Sequence, residues 1–170
     1  MASQTPVYTP DQLERYLQRI YYSNNATTNS RLPLLQQSIH SNPLDTIAEL
    51  QRRHLTSIPW GNSSLHYSQH YSISIDPQAV FEKLVDRRLD GYCMETTGLF
   101  YGVLRSLGYQ VYPTGGRVSH QASRGVDDGL YEQLYVIFLF YGRSYVDKCR
   151  GHMVLIVTIE GEKYMVRLPE

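Results

Sequence analysis

The stretch Arg88-Leu89-Asp90-Gly91-Tyr92-Cys93-Met94-Glu95 decides how this chain is read, because it sets a cysteine where a glycine turn runs into an apolar segment. From Cys93 onward, Leu99, Phe100, Val103, Leu104 and Leu107 recur at helical spacing, and Gly108 follows as a stop. A thiol in the first turn of a helix meets unpaired backbone N–H groups and the positive end of the helix dipole. Both favour thiolate over thiol. The competing reading is a buried structural cysteine, which is what most lone cysteines are. Gly91, the helix start and a later histidine weigh toward Cys93 as a nucleophile.

Outward from this stretch, three cap-then-proline pairs mark further helices. Thr9-Pro10-Asp11-Gln12 opens one, with Leu13, Tyr16, Leu17, Ile20 and Tyr21 as its buried stripe. Residues 23–30 are polar, rich in Asn and Thr, and read as a loop. Asn42-Pro43 repeats the signal, followed by Leu44, Ile47, Leu50 and Leu55 before Pro59 ends the run. Asp76-Pro77 does so again, ahead of Val80, Phe81, Leu84 and Val85. With the Cys93 segment this predicts four helices in a small bundle. Past Gly108, residues 109–118 and 152–159 are rich in β-branched and aromatic side chains, and Glu160-Gly161 is a turn before a short strand over 163–166. Helices followed by strands predict an α+β fold: a bundle over 1–108 that carries Cys93, then a strand-rich region over 109–170.

Composition narrows the classes of function. In 170 residues, Lys+Arg and Asp+Glu balance at 16 each, so no net field points to nucleic acid or a membrane surface. Cys93 and Cys149 stand at unrelated positions, which suits neither a disulfide framework nor a metal site. A reducing, cytoplasmic setting suits a reactive Cys93. The first ten residues are polar with no apolar run, so no signal peptide is expected, and no window reaches the roughly 18 apolar residues of a membrane span.

Among six histidines, His152 stands out because it follows Gly151 and begins the apolar run Met153-Val154-Leu155-Ile156-Val157. At the mouth of a buried strand, an imidazole can take a proton from a thiol and hold the resulting ion pair. A plain strand-end histidine at a solvated edge fits the sequence equally well. His54, in Arg52-Arg53-His54-Leu55, is expected on a helix face or under a loop; His40, His66, His70 and His120 lie in polar segments and suggest no role. A Cys–His couple usually has a third group that fixes the imidazole tautomer. No carboxylate here is a clear candidate: Asp127, Asp128 and Asp147 read as solvated loop acids, and Glu160 and Glu162 flank the turn. Arg117, after Gly115 and Gly116, is read equally as a substrate-facing residue or a strand entry. Cys149 has cationic neighbours in Lys148 and Arg150 but nothing else that points to catalysis.

Three stretches together resemble the arylamine N-acetyltransferase family in its fungal form. They are Leu50-Gln51-Arg52-Arg53-His54-Leu55-Thr56-Ser57-Ile58-Pro59-Trp60 with Leu65-His66-Tyr67, Gly91-Tyr92-Cys93-Met94-Glu95 with Leu104-Arg105-Ser106-Leu107-Gly108-Tyr109, and Gly151-His152-Met153-Val154-Leu155-Ile156-Val157. The resemblance implies a papain-like cysteine acyltransferase: a helical bundle, a β-barrel and an α/β lid, with a Cys-His-Asp triad. It implies xenobiotic chemistry in which the thiolate takes acetyl from acetyl-CoA as a thioester and passes it to an arylamine or hydrazine by a ping-pong route. On that mapping Cys93 matches the nucleophile and His152 the base; no bound cofactor or metal is implied. A papain- or transglutaminase-like cysteine hydrolase, or a non-catalytic fragment, are the alternative readings.

The chain departs from the family's pattern in three places. Leu89, Asp90 and Gly91 occupy the slots of the family's Arg-Gly-Gly. Tyr164-Met165-Val166 matches the strand that precedes the triad aspartate, but Arg167 takes the aspartate's place. Residues 135–150 have no counterpart and lengthen the Cys93–His152 interval to 59 residues. Reverse translation accounts for that segment: a Leu134 codon ending in G, then Tyr135 and Val136, spells a donor-like GTATGT, and Cys149 with Arg150 spells an acceptor-like CAG. Excision joins Leu134 to Gly151 in frame. The expectation is therefore a non-native insertion at 135–150, an incomplete antiparallel β-barrel, a C-terminally truncated chain and impaired acetyl transfer.

Overall fold

A computed structural model describes residues 5–23, 31–117 and 151–168. Each cap-then-proline signal starts a helix. Helix α1 spans Pro10–Arg19, with a reciprocal capping box: Thr9 Oγ1 accepts from the Gln12 N–H at 3.3 Å, and Gln12 Oε1 accepts from the Thr9 N–H at 3.0 Å. Helix α3 spans Pro43–Ser57, capped by Asn42. Helix α5 spans Pro77–Phe81, where one Asp76 oxygen accepts from the N–H groups of Gln78 (3.1 Å) and Ala79 (2.9 Å); it runs on into a π-helical turn, Glu82–Asp86.

Two further helices were not expected, so the described residues hold six rather than four. The start of helix α2, Arg31–Ser41, is held by Glu14 of α1, whose carboxylate accepts from the backbone N–H groups of Arg31 (3.3 Å) and Leu32 (2.9 Å). Helix α4 is a single turn, Ser63–Tyr67. Tyr21 is not part of the α1 stripe: at φ 56 it has left the helix and is 53% exposed. Leu44 likewise lies outside the core, at 39% exposed, because the buried face of α3 runs through Ile47, Leu50 and His54.

Helix α6, Cys93–Ser106, is the spine of the molecule. Leu99, Phe100, Val103 and Leu104 are fully buried on it. Its end is a Schellman motif: Gly108, at φ 89, donates to the Arg105 carbonyl, and Tyr109 donates to the Leu104 carbonyl. The N-terminal segment is pinned to the same end, since Ser106 Oγ accepts from Val7 (2.9 Å) and Tyr8 (2.8 Å). Gly102 makes this approach possible: a Cβ there would lie 2.5 Å from the Tyr8 ring.

Strands β1 (Gln110–Arg117), β2 (Gly151–Ile159) and β3 (Glu162–Val166) form one antiparallel sheet in that order. Among the described residues it is a three-stranded open sheet, not a closed barrel. Glu160 (φ 51) and Gly161 (φ 88) turn β2 into β3 with the two left-handed residues of a type I′ hairpin. Val111, Leu155, Val157, Val166 and Leu168 join the helical side chains in one continuous apolar cluster. Gln51 of α3 adds a polar tie, donating to the Arg167 carbonyl at 2.6 Å. No described helix is long and apolar enough to cross a membrane.

Candidate functional site

Cys93 is the first residue of α6, as its sequence context predicts, with Tyr92 in extended conformation (φ −72, ψ 163) as the cap. Its side chain is 7% exposed. The backbone leading to it is paired with a distant segment: Gly91 donates to the Pro59 carbonyl at 3.1 Å, and Gly61 donates to the Gly91 carbonyl at 3.0 Å. This is a parallel bridge between Trp60 and Gly91, and it brings the Trp60 ring to 6.1 Å from that of Tyr92. Gly91 has no room for a side chain, because a Cβ would meet Leu84 Cδ2 at 2.7 Å.

Two polar locks surround the turn. In the first, the Glu95 carboxylate, 2% exposed, accepts from the Tyr92 N–H at 2.9 Å and receives the Lys83 ammonium at 2.8 Å on each oxygen. Glu95 thereby holds the backbone immediately before the thiol, and Lys83 balances its charge. In the second, Asp90 accepts from Ser63 Oγ at 2.5 Å and from the Ser63 N–H at 3.2 Å. These bonds, with Ser63 Oγ first, hold the Asp90 carboxyl below its ordinary range. A Cβ on Gly61 would sit 1.9 Å from Asp90 Oδ2, so the segment after Trp60 lies directly against that carboxylate. Asp90, a departure from the family pattern, thus ties α4 to the turn that precedes Cys93.

His54 lies on a helix face, the buried face of α3, packed on Phe100 of α6 with ring centroids 5.1 Å apart. Its Nδ1 lies 3.0 Å from the Tyr16 hydroxyl, and its Nε2 has no hydrogen-bond partner among the described residues. Burial first, then the charge of Arg19, pushes its pKa down to about 3, partly opposed by the Thr96 backbone. It is a neutral core histidine.

His152 is the second residue of β2, and its backbone pairs with Gly116 of β1; Arg117 pairs with Gly151. The strand that carries His152 packs on α6, the helix that carries Cys93, through the shared core. Asp127, Asp128, Asp147, Cys149 and the 135–150 segment lie outside the described residues. Arg167 follows β3, one residue past Val166, which pairs with Leu155. Among the described residues no group of three His, Cys, Asp or Glu side chains is placed to hold a metal ion. Of the groups that shape the site, Lys83 and the Asp90–Ser63 pair escaped the sequence reading. Glu95, three residues past Tyr92, carries the spacing of a capping glutamate, which is the signal that was available.

A family model described as N-acetyltransferase matches residues 43–138. The N-malonyltransferase FDB2 of Fusarium pseudograminearum is 33% identical over 164 residues, covering 95% of this chain and 44% of that protein. The liver isozyme of arylamine N-acetyltransferase from Gallus gallus is 28% identical over 123 residues, covering 72% and 35%. Among solved structures, the arylamine N-acetyltransferase of Mycobacterium abscessus superposes with a TM-score of 0.59 at 25% identity, covering 92% of this chain and 42% of the other. The Mycobacterium marinum enzyme in complex with CoA gives 0.54 at 28% identity, covering 91% and 45%. The chain thus spans less than half the length of these relatives.

Proposed function

The chain belongs to the arylamine N-acetyltransferase family, and on that footing we propose that it transfers an acetyl group from acetyl-CoA to an arylamine or hydrazine through a thioester on Cys93, with His152 as general base. The observation that carries the reading is the placement of Cys93 at the first position of α6, behind a turn fixed on one side by Pro59 and on the other by Glu95. An anion is stabilised at that end of a helix, and a turn held at both sides presents the sulfur in one orientation. In this reading residues 1–108 supply the nucleophile, 109–170 supply the base, and 135–150 is extra sequence between them.

The chemistry runs in two halves. His152 takes the thiol proton, the thiolate attacks the acyl carbonyl, and CoA leaves as its thiol; the amine then attacks the thioester and regenerates Cys93. Arg167 stands where the family's aspartate is expected, so the tautomer lock on the imidazole is missing from this reading. In serine proteases loss of that orienting group costs about 10⁴ in rate, and weak turnover is part of the proposal. The name of the Fusarium relative puts malonyl-CoA beside acetyl-CoA as a donor to test.

The test is peptide mass spectrometry of the chain after incubation with each acyl-CoA, followed by addition of an arylamine. One acyl group on the Cys93 peptide, removed by the amine and missing in Cys93→Ala, is the expected result. An unlabelled Cys93, with alkylation by iodoacetamide no faster than for an ordinary thiol, would reject it.

A further inference from the structure

On the side of the bundle where α1 meets the π-helical turn, Arg15, Arg19 and Arg88 line one small cavity of about 150 Å³, with Gln18, Val85 and Asp86 completing its wall. The three arginines share that wall with a single carboxylate, and that carboxylate is taken. Arg15 Nη1 lies 2.5 Å from Asp86 Oδ1, its Nε 3.2 Å from Asp11 Oδ2, and its guanidinium rests 5.1 Å from the Phe81 ring centre. Arg19 is 7% exposed; its Nε donates to the Leu84 carbonyl at 3.2 Å, and among the described residues no carboxylate pairs with it. Arg88 enters the wall from a left-handed backbone, φ 55, and also has no ion pair among the described residues.

A buried guanidinium without a counter-charge is costly, and a second one beside it adds repulsion. Burial and the Arg88 charge both act to lower the Arg19 pKa, which places the two cations within electrostatic reach of each other. A guanidinium offers a planar fork of donors that matches tetrahedral oxyanions, and two arginines lining a cavity of this size suit one such ion. We propose that this niche binds a phosphate group, either inorganic phosphate or the terminal phosphate of a monoester. Arg19 and Arg88 supply the direct donors, Arg15 lends its charge from behind, and Asp86 sets the upper limit on affinity by opposing the anion. The site does not depend on the acyl-transfer reading and uses none of its residues.

The experiment is a titration of the whole chain with sodium phosphate, followed by thermal unfolding and calorimetry, against sodium chloride at matched ionic strength. Phosphate is expected to raise the Tm saturably where chloride does not. Arg88→Gln should weaken the apparent affinity about tenfold or more, the scale of losing one charge-assisted hydrogen bond. Asp86→Asn should act in the opposite sense and tighten it. Both residues are exposed, so circular dichroism can confirm that each variant keeps its fold. Phenyl phosphate in place of phosphate separates the two sources: equal binding marks a niche open to monoesters, and rejection of the ester marks one for the free ion. An equal response to chloride, or an affinity unchanged in either variant, overturns the proposal.

Discussion

Gly91 shows how little space the turn before Cys93 allows. Its backbone is bonded to Pro59 on one side while Leu84 closes the other at a distance no methyl group tolerates. Gly91→Ala should therefore cost about 1–3 kcal/mol of stability, the range for forced overpacking, measured by urea denaturation. Lys83 is the second residue whose loss is sharply defined. Lys83→Met leaves the Glu95 carboxylate buried without its cation and should cost about 3 kcal/mol. Adding Glu95→Gln should return much of that loss, because the uncompensated charge is gone; a double-mutant cycle gives the coupling. Sequence alone made the position of Cys93 at a helix start legible, since glycine turn and helical period are both local. Lys83 is ten residues before it on a different element and looks like any surface lysine until π-helical and α-helical turns are packed together. The helix position of His54 was legible but its burial was not, because a polar ring holds a core position on α3 where the hydrophobic pattern has no letter for it.

At the scale of elements, the helices with a hydroxyl, amide or carboxylate cap followed by proline were all legible, and α2 was not. Its first described N–H groups are satisfied by Glu14, 17 and 18 residues away in the chain, a long-range contact that the sequence around Arg31 does not reveal. The β2–β3 hairpin, by contrast, is written in two residues. Glu160 takes a left-handed conformation that glycine and asparagine accept more readily. Glu160→Asn should thus stabilise the chain by about 0.5–1 kcal/mol, seen as a higher urea midpoint with an unchanged slope. No shift, or a lower midpoint, would mean that Glu160 has stabilising contacts of its own. The expectation of an incomplete barrel came from resemblance rather than from local signals, and the described strands form a three-stranded open sheet.

For the molecule as a whole, the deciding fact is that helices and sheet share one apolar cluster, with His54 inside it. Helical and strand signals in circular dichroism should disappear in one transition. That core also predicts a response to acid. His54 titrates at about 3 when folded and near 6.5 when unfolded, so between those values the unfolded chain binds more protons. Stability is then complete above about pH 6.5 and falls as the pH drops toward 3, by about 1.4 kcal/mol per unit in the middle of that window. His54→Gln keeps an acceptor for Tyr16 and should flatten this acid limb in urea unfolding between pH 7 and pH 5. A variant with the same slope as the parent would assign the limb to the carboxylates instead.

Trp60 is the single tryptophan of the chain, half exposed, and bridged through its backbone to the glycine two residues ahead of the thiol. Its indole therefore serves as a built-in optical probe. Excited selectively, it should register in real time any adduct that displaces Tyr92, so the arrival and departure of an acyl group can be followed by stopped-flow emission without a dye, a radiolabel or a coupled assay.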